Sequence, residues 1–442
     1  MSEWKKVRIG DFLTEREGRY KPDDSKISKY KRLDKIDFSG NIHISDKPTK
    51  TDMIIVHPGD LIISGINVAK GAVAVYQGDE LVCATIHCSS YTFDSSKVDL
   101  DYFKYFVKSP AFIAALQKQV KGGIKTEIKP KHLLPLEISI PDLQTQQEIV
   151  KEISLQLQRT EQLSVEIESQ KNYIKQLRQN ILQEAIEGKL TADWRKQNSV
   201  KKGNPDYDAE ALFEQIQKER SIEKKQKELS PITDKEKPFE IPEGWKWVRL
   251  GEIIKEPPRN GYSPKAVDYE TPIKTLKLGA VTYGVFDSNE YKFINEEIPK
   301  DAYCWLKNGD FLIERSNSVE YVGICAIYTG KDNEFMYPDL LMRFRTQDNL
   351  SKKYIHTALV SPFNRSYFMS NAKGAQKTMP KINQECVVNT MIPLPSIAEQ
   401  NEIVKQIERN LQTISDLENQ ILKRELQTKQ LMQSILKDAF GA

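Results

Sequence analysis

The chain has 442 residues, of which 39% are hydrophobic and 29% are charged, with a formal net charge of +3. This length is too great for one compact core and suits two domains joined by further elements. No run of eighteen apolar residues is present and the first residues lack the apolar stretch of a signal peptide, so we expect a cytoplasmic protein without membrane spans. The small net charge does not indicate a nucleic-acid-binding protein, so such a role must rest on where the charges lie.

The sequence contains an internal duplication. WKKVRIGDF at residues 4–12 recurs as WKWVRLGEI at 245–253, and PGDLII at 58–63 recurs as NGDFLI at 308–313. QQEIV at residues 146–150 recurs as QNEIV at 400–404. The matching segments occur in the same order in both halves, and the two members of each pair are about 250 residues apart, which is typical of a repeated module.

Each copy is predicted to consist of a mixed domain followed by a long helix. Short β-rich runs and turn signals precede a helical stretch at residues 102–119 in the first copy and 353–370 in the second, so the fold class is α+β. Between the copies lies a polar connector, in which residues 209–229 predict an exposed, charged helix. The predicted boundaries are 1–143 for the first domain, 144–190 for the first long helix, 191–241 for the connector, 242–397 for the second domain and 398–442 for the second long helix.

A seven-residue repeat of isoleucine and threonine runs along both long helices. Its members are Ile153, Thr160, Ile167, Ile174 and Ile181, followed in the second copy by Ile407, Ile414, Ile421, Thr428 and Ile435. Intervening leucines (Leu163, Leu177, Leu417 and Leu431) add to the stripe, which is typical of a coiled-coil seam. The helices could pack on their own domains, but the matching stripes favour an antiparallel coiled coil with helices of roughly 60 Å.

No catalytic constellation is evident. Phosphate loops, dinucleotide fingerprints, zinc-protease motifs and nucleophile elbows are all missing from the sequence. Among the five cysteines, Cys83 and Cys88 flank His87, which could suggest a metal. Because no second ligand pair accompanies them, we interpret them as alternating residues of one half-buried strand. We therefore expect no catalytic residue, metal or cofactor in this chain.

Basic residues cluster after the helical stretch of each copy, in a segment that contains glycine. A lysine-rich loop in one copy alone would be interpreted as a solvated surface, but its recurrence at the same repeat position favours phosphate contacts with base reading nearby. The candidate DNA-binding residues are Lys121, Gly122, Lys125 and Lys129 in the first copy, and Lys373, Gln376, Lys377 and Lys381 in the second.

Further candidates lie in two short segments of the second copy. They are Arg259, Asn260 and Tyr262 in one segment, and Arg315 and Asn317 in the other. Arginine can bond the edge of guanine and asparagine the edge of adenine in the major groove. The same residue types also cap turns, so both interpretations stay open.

Three segments resemble the specificity subunits of type I restriction-modification enzymes. They are EIPEGWKWVRLGE at residues 240–252, IPLP at 392–395 leading into Glu399 and Gln400, and QLRQNILQEAIEGKL at 176–190. The resemblance implies two target-recognition domains, each reading one half of an asymmetric, interrupted site in double-stranded DNA. It also implies that the coiled coil sets the spacer between the two halves.

The resemblance further implies that the chain is a non-catalytic subunit. Its expected partners are modification subunits (two of them), which carry the methyltransferase, and restriction subunits, which carry the motor and nuclease. S-adenosylmethionine, ATP and Mg²⁺ are then expected on those partners. Three alternatives remain. A coiled-coil scaffold without a DNA role predicts no DNA binding, and a fused DNA methyltransferase or endonuclease predicts activity from the chain alone. The third and weakest is a regulator that binds DNA by itself.

Overall fold

The computed structural model describes residues 4–38, 40–67, 72–119, 128–223, 229–373 and 379–440. The chain divides into two compact units, one of residues 1–170 with 420–442 and the other of residues 171–419. Within the described ranges, no helix is both long and apolar enough to cross a membrane.

The first unit contains repeat one as far as residue 170 of its long helix, and the strands of this repeat form three small sheets. Four strands associate in the antiparallel order β2-β9-β6-β7, four in the order β4-β3-β8-β5 with β3 and β8 parallel, and β1 pairs antiparallel with β10. The elements are β1 (Lys5–Arg8), β2 (Leu13–Glu15), β3 (Arg32–Ile36), β4 (Ile42–Ser45), β5 (Met53–Val56), β6 (Leu61–Ser64), β7 (Val73–Val75), β8 (Val82–Thr85), β9 (Cys88–Phe93), α1 (Leu100–Phe106), α2 (Pro110–Gln119), α3 (Pro130–Leu133), β10 (Glu137–Ile140) and α4 (Leu143–Ile186).

The second unit contains a connector and repeat two. Repeat two again has an antiparallel sheet (β12-β19-β16-β17), a mixed sheet (β13-β15-β14-β18) and a strand pair (β11-β20). The elements are α5 (Ala192–Gln197), α6 (Ala209–Glu223), β11 (Lys246–Arg249), β12 (Ile254–Asn260), β13 (Ala266–Val267), β14 (Ile273–Leu276), β15 (Tyr291–Ile294), β16 (Phe311–Glu314), β17 (Cys325–Ile327), β18 (Phe335–Met336), β19 (Leu341–Thr346), α7 (Lys352–Val360), α8 (Pro362–Asn371), α9 (Gln384–Val388), β20 (Met391–Leu394) and α10 (Ile397–Phe440).

The central strand of each antiparallel sheet begins at a glycine turn. Gly59 and Gly309 have φ angles of +83° and +86°, a left-handed conformation that favours glycine. β6 and β16 follow these turns, and their apolar residues are buried on both faces. A strand covered on both sides is expected to be a continuous apolar run rather than an alternating one, as LII and FLI are here.

The helical stretch predicted in each repeat is two helices rather than one. α1 and α2 are separated before Pro110, and α7 and α8 before Pro362. Proline has no N–H to donate to the preceding turn, so it begins a helix instead of continuing one. Ser361 then caps α8, because its side chain accepts a hydrogen bond from the backbone N–H of Asn364.

The predicted antiparallel pairing of the long helices is confirmed within each unit. In the first unit, Ile153 near the start of α4 shares a buried cluster with Ile435 near the end of α10. In the second unit, Arg178 donates a 3.0 Å hydrogen bond to Glu418, and Ile181 is clustered with Ile414.

Only part of the predicted apolar stripe is buried. Most of the isoleucines and threonines of the seven-residue repeat are buried, whereas the four intervening leucines are 37–46% exposed. A pair of helices covers one line of residues on each partner and leaves the flanks of the seam in contact with water. The prediction that the leucines complete the seam is therefore wrong.

The prediction of an exposed connector helix is also wrong. On α6, Leu212 and Ile216 are fully buried in the same cluster as Val248, and Phe213 packs against that cluster. The Gln217 side chain donates a 2.8 Å hydrogen bond to the carbonyl of Glu252. The prediction failed because the many charged residues of α6 outnumber its short apolar stripe, which packs on repeat two.

Cys83 and Cys88 do not alternate along one strand as predicted. Cys83 lies on β8 and Cys88 begins β9, so His87 stands in the turn between two strands. All five cysteines are free thiols, and in the described part of the chain no three His, Cys, Asp or Glu side chains are grouped to hold a metal ion.

Candidate nucleic-acid interface

The second basic loop is closed by its own backbone. The N–H of Lys373 donates to the carbonyl of Lys381 at 2.9 Å, and the N–H of Lys381 donates back at 2.8 Å. Both lysine side chains are exposed. Two of the predicted residues, Gln376 and Lys377, fall outside the described residues.

Each loop is attached to the end of the central strand of its sheet. In repeat two, Ile382 donates a 3.0 Å backbone hydrogen bond to Arg315, immediately after β16. In repeat one, Ile128 donates a 2.9 Å hydrogen bond to Gly65, immediately after β6. Exposed Lys129 follows, whereas Lys121, Gly122 and Lys125 lie outside the described residues. The two repeats therefore attach the residues that follow these segments, Ile128 and Ile382, at equivalent strand ends.

The structure brings the other candidate segments of repeat two to the same edge. Gly261 donates a 3.2 Å backbone hydrogen bond to Leu341, and Arg315 donates one of 2.8 Å to Leu340. A Cβ atom on Gly261 would lie 2.0 Å from the carbonyl oxygen of Tyr337, so only glycine permits this approach. Residues 259–262, Arg315 and the base of the second loop thus form one surface.

Three predicted side chains on this surface carry polar groups outward. The guanidinium carbon of exposed Arg259 lies 3.4 Å from the ring centroid of Tyr303, a cation–π contact that restrains this side chain. The Tyr262 hydroxyl donates a 2.8 Å hydrogen bond to Glu296, and this bond raises the pKa of Tyr262. Half-buried Arg315 donates a 3.2 Å hydrogen bond to the carbonyl of Asp339.

The side chains of the two candidate asparagines differ in their contacts with the protein. The amide nitrogen of Asn317 donates to Glu314 at 2.7 Å, and its oxygen accepts from the N–H of Ser318 at 2.8 Å. Both ends of this amide are used, which supports the turn-capping interpretation. The side-chain oxygen of Asn260 is buried without a hydrogen-bond partner, while the backbone of Asn260 pairs with Met342 inside the sheet.

A buried aspartate stands immediately before β6 and before β16, and in each repeat it forms an ion pair with an arginine. In repeat one, the Asp60 carboxylate accepts hydrogen bonds from Arg16 at 2.6 Å and from Ser90 at 2.7 Å. Burial alone would raise the pKa of Asp60, but these hydrogen bonds lower it below its ordinary value. In repeat two, the corresponding Asp310 is fully buried and is paired with Arg345.

One groove in repeat one was not predicted from the sequence. The groove has a volume of about 310 Å³, and its charged lining consists of Arg16, Arg19 and Lys129 with Glu15 and Glu17, beside His87. These residues come from three separate stretches of the chain, so no local cluster of charge marks them. The repeated Gly-Asp pair before each central strand was the available signal, because a buried aspartate requires a cation nearby.

The fold defines a protein of two repeated mixed domains, each joined to one of two paired long helices. A family model described as type I restriction modification DNA specificity domain matches residues 1–172 and 242–426. The chain belongs to this family.

Several known proteins are similar to the chain. The EcoEI specificity subunit of a type I restriction enzyme from Escherichia coli is 31% identical over 60% of this chain and 44% of its own length. The EcoKI specificity subunit from E. coli K12 is 25% identical over 77% of this chain and 64% of its own length. The matched region is thus less than two thirds of these relatives.

Two solved structures have the same fold. One belongs to a study of complex assembly and conformational transition of the type I restriction-modification system, and it matches with a TM-score of 0.63 at 16% identity over 99% of this chain and 97% of that one. The other is the HsdS subunit from Thermoanaerobacter tengcongensis, with a TM-score of 0.51 at 17% identity over 99% and 96% of the two chains.

Proposed function

We propose that this chain is the DNA-specificity subunit of a type I restriction-modification complex and performs no catalysis. Each repeat reads one half of a bipartite DNA site, and the paired helices set the number of unread base pairs between the halves. The observation that carries the proposal is that Ile128 and Ile382, which follow the two basic segments, are hydrogen-bonded at the equivalent ends of β6 and β16. Phosphate contacts from such loops would position each domain on the duplex, and neighbouring side chains would read bases.

The two half-sites are expected to differ. At the strand end where each loop is attached, repeat one has Gly65 and repeat two has Arg315. Beside it, repeat one has a groove lined by Arg16 and Arg19, whereas repeat two presents Arg259 against Tyr303. Because these surfaces present different donors, the composite site should be asymmetric.

The helices support a role in setting the spacer. α4 and α10 each contain 44 residues, a length of about 66 Å at 1.5 Å per residue. Two readers whose separation is fixed by such helices would contact half-sites about one turn of DNA apart.

Partners would supply the chemistry. Modification subunits would bind S-adenosylmethionine and methylate adenine, and restriction subunits would use ATP and Mg²⁺ to translocate and cleave DNA in the cytoplasm. Two modification subunits, one for each repeat, agree with the duplication. The Lys121, Gly122 and Lys125 loop and its counterpart with Gln376 and Lys377 would contact the DNA backbone.

Single-molecule mapping of methyladenine tests the proposal. DNA is compared from cells that express the methyltransferase partner with this chain, without it, or with the double variant Lys373→Ala and Lys381→Ala. We expect methylation at one asymmetric, interrupted motif only when the wild-type chain is present, and reduced methylation with the variant. A motif that is methylated without the chain, or no motif at all, would contradict the proposed role, and methylation by the purified chain alone would identify a fused enzyme.

A further inference from the structure

The strand pairs β1–β10 and β11–β20 are equivalent in sequence and pairing but differ in burial. KKVR in β1 pairs antiparallel with β10 in the way that KWVR in β11 pairs with β20. Three of the four residues of β1 are exposed, whereas three of the four residues of β11 are buried. On the face of the strand that carries Lys5 and Val7, exposed Lys5 and half-buried Val7 correspond to half-buried Lys246 and fully buried Val248.

The connector accounts for the burial in repeat two. Glu210 of α6 forms an ion pair with Lys246 at 2.7 Å, and Lys246 also lies 4.9 Å above the ring of Phe213. Leu212 and Ile216 belong to the buried cluster that contains Val248. One acidic residue and three apolar residues of α6 thus cover this face of the strand pair.

Repeat one has the same face with an open apolar groove. The groove has a volume of about 540 Å³, and its lining includes Val7, Phe12, Val98, Ile140 and Leu143. Phe12, Val98 and Ile140 are already buried, so its partly exposed apolar residues are the half-buried Val7 and Leu143. The counterparts of the five lining residues in repeat two are the buried or half-buried residues Val248, Ile253, Leu350, Leu394 and Ile397. Exposed Lys5 stands at the rim, at the position of Lys246.

Repeat one also replaces two polar contacts that the connector makes in repeat two. The carbonyl of Asp11 accepts a 2.8 Å hydrogen bond from Lys97, whereas that of Glu252 accepts one from Gln217. At the start of α4, Asp142 accepts a 3.0 Å hydrogen bond from the N–H of Thr145, whereas at the start of α10 the N–H of Ala398 donates to the carbonyl of Asp206 in the connector at 3.1 Å. These polar groups around the groove are therefore satisfied without a connector, which leaves Val7, Leu143 and Lys5 for a partner to cover.

We propose that this groove binds an amphipathic helix of a partner protein with the side-chain chemistry of α6. Such a helix places an acidic residue against Lys5 and a stripe equivalent to Leu212, Phe213 and Ile216 in the groove. The intramolecular complex in repeat two defines this chemistry, because the same face is covered there by such a helix. The proposal does not depend on DNA recognition.

The test uses the full chain and a fluorescently labelled peptide of residues 205–223 as the probe, with binding followed by anisotropy. The peptide is expected to bind at a 1:1 ratio. Lys5→Glu should weaken binding roughly three- to thirtyfold, because an attractive surface pair becomes repulsive. Lys6→Glu is the matched control, since neighbouring residues of a strand face opposite sides. It should leave binding unchanged, and a Glu210→Lys peptide should restore binding to the Lys5→Glu chain.

Two results would overturn the proposal. If the peptide does not bind saturably, or if Lys5→Glu and Lys6→Glu weaken it equally, the groove does not recognise this helix. If sedimentation shows that the chain alone self-associates and that Lys5→Glu disrupts the association, a second copy covers the groove instead of a partner. Neither result bears on the methylation map, so the two proposals fail separately.

Discussion

Glu399 joins the connector to the start of repeat two and of α10. Its carboxylate is 3% exposed and accepts hydrogen bonds from Thr191 at 2.7 Å and from the indole N–H of Trp245 at 2.7 Å. The guanidinium group of Arg195 forms an ion pair with the same carboxylate. We expect Glu399→Ala to release the connector from the domain.

The magnitude follows from the groups that the substitution leaves without a partner. Removing one member of a buried ion pair typically costs about 3–5 kcal/mol. The Arg195 side chain is 21% exposed and regains some hydration, so we expect about 2–4 kcal/mol, including the unpaired indole and hydroxyl groups. Local opening of residues 188–198 should become more frequent by a factor of roughly 30 to 1,000.

Hydrogen exchange followed by mass spectrometry measures this opening directly. Glu408→Ala on the same helix is the matched control, because Glu408 pairs with Lys353 and both side chains are more than half exposed. A surface pair of this kind contributes less than about 1 kcal/mol, so exchange should change less than about fivefold. If Glu399→Ala accelerates exchange no more than Glu408→Ala does, the carboxylate does not hold the connector in place.

Three further outcomes are expected. Asp60→Asn should destabilise repeat one in urea unfolding at neutral pH. Because the pKa of Asp60 is lowered in the folded state, its ionised carboxylate stabilises the fold fully above the ordinary aspartate pKa, and this stabilisation is lost as the pH falls through the lowered pKa. A difference in unfolding free energy between wild type and Asp60→Asn that does not depend on pH would contradict this. In DNA-binding titrations of the assembled complex, Lys373→Ala with Lys381→Ala should weaken binding on all sequences alike and reduce the salt slope by up to about two, whereas an unchanged slope would exclude phosphate contacts. Insertion of one heptad within residues 153–181 should lengthen the spacer in the methylation map or abolish binding, and an unchanged motif would refute the role of the helices in spacing.

Features that repeat at a fixed period could be predicted from the sequence. The duplication fixed the equivalence of the two domains, and the spacing of Ile153, Ile181, Ile407 and Ile435 predicted the antiparallel helices, since each period reports directly on one face of a helix. The helical stretches were predicted at the correct positions, but each was predicted as one helix and consists of two. Pro110 was visible in the sequence, and its effect on the helix is local.

Features that depend on a distant partner could not be predicted. Arg16 lies 44 residues before Asp60, and Arg345 lies 35 residues after Asp310, so no spacing rule connects these pairs. The apolar stripe of α6 is three residues within a charged segment, and only the surface that it covers distinguishes it from a solvated helix. The base-reading residues stay predictions for the same reason, because recognition depends on contacts with DNA.

The buried aspartate also limits how recognition domains of this kind can recombine. In repeat one the aspartate pairs with Arg16, which immediately follows β2. In repeat two it pairs with Arg345 of β19, and β12 supplies Glu256, which also pairs with Arg345. A crossover between these strands would produce a hybrid with either an unpaired buried carboxylate or an unpaired arginine. Exchange of an entire domain, with breakpoints in the long helices where the heptads match, avoids this conflict. New combinations of half-sites are therefore expected to arise by exchange of whole domains and not by crossovers within a domain.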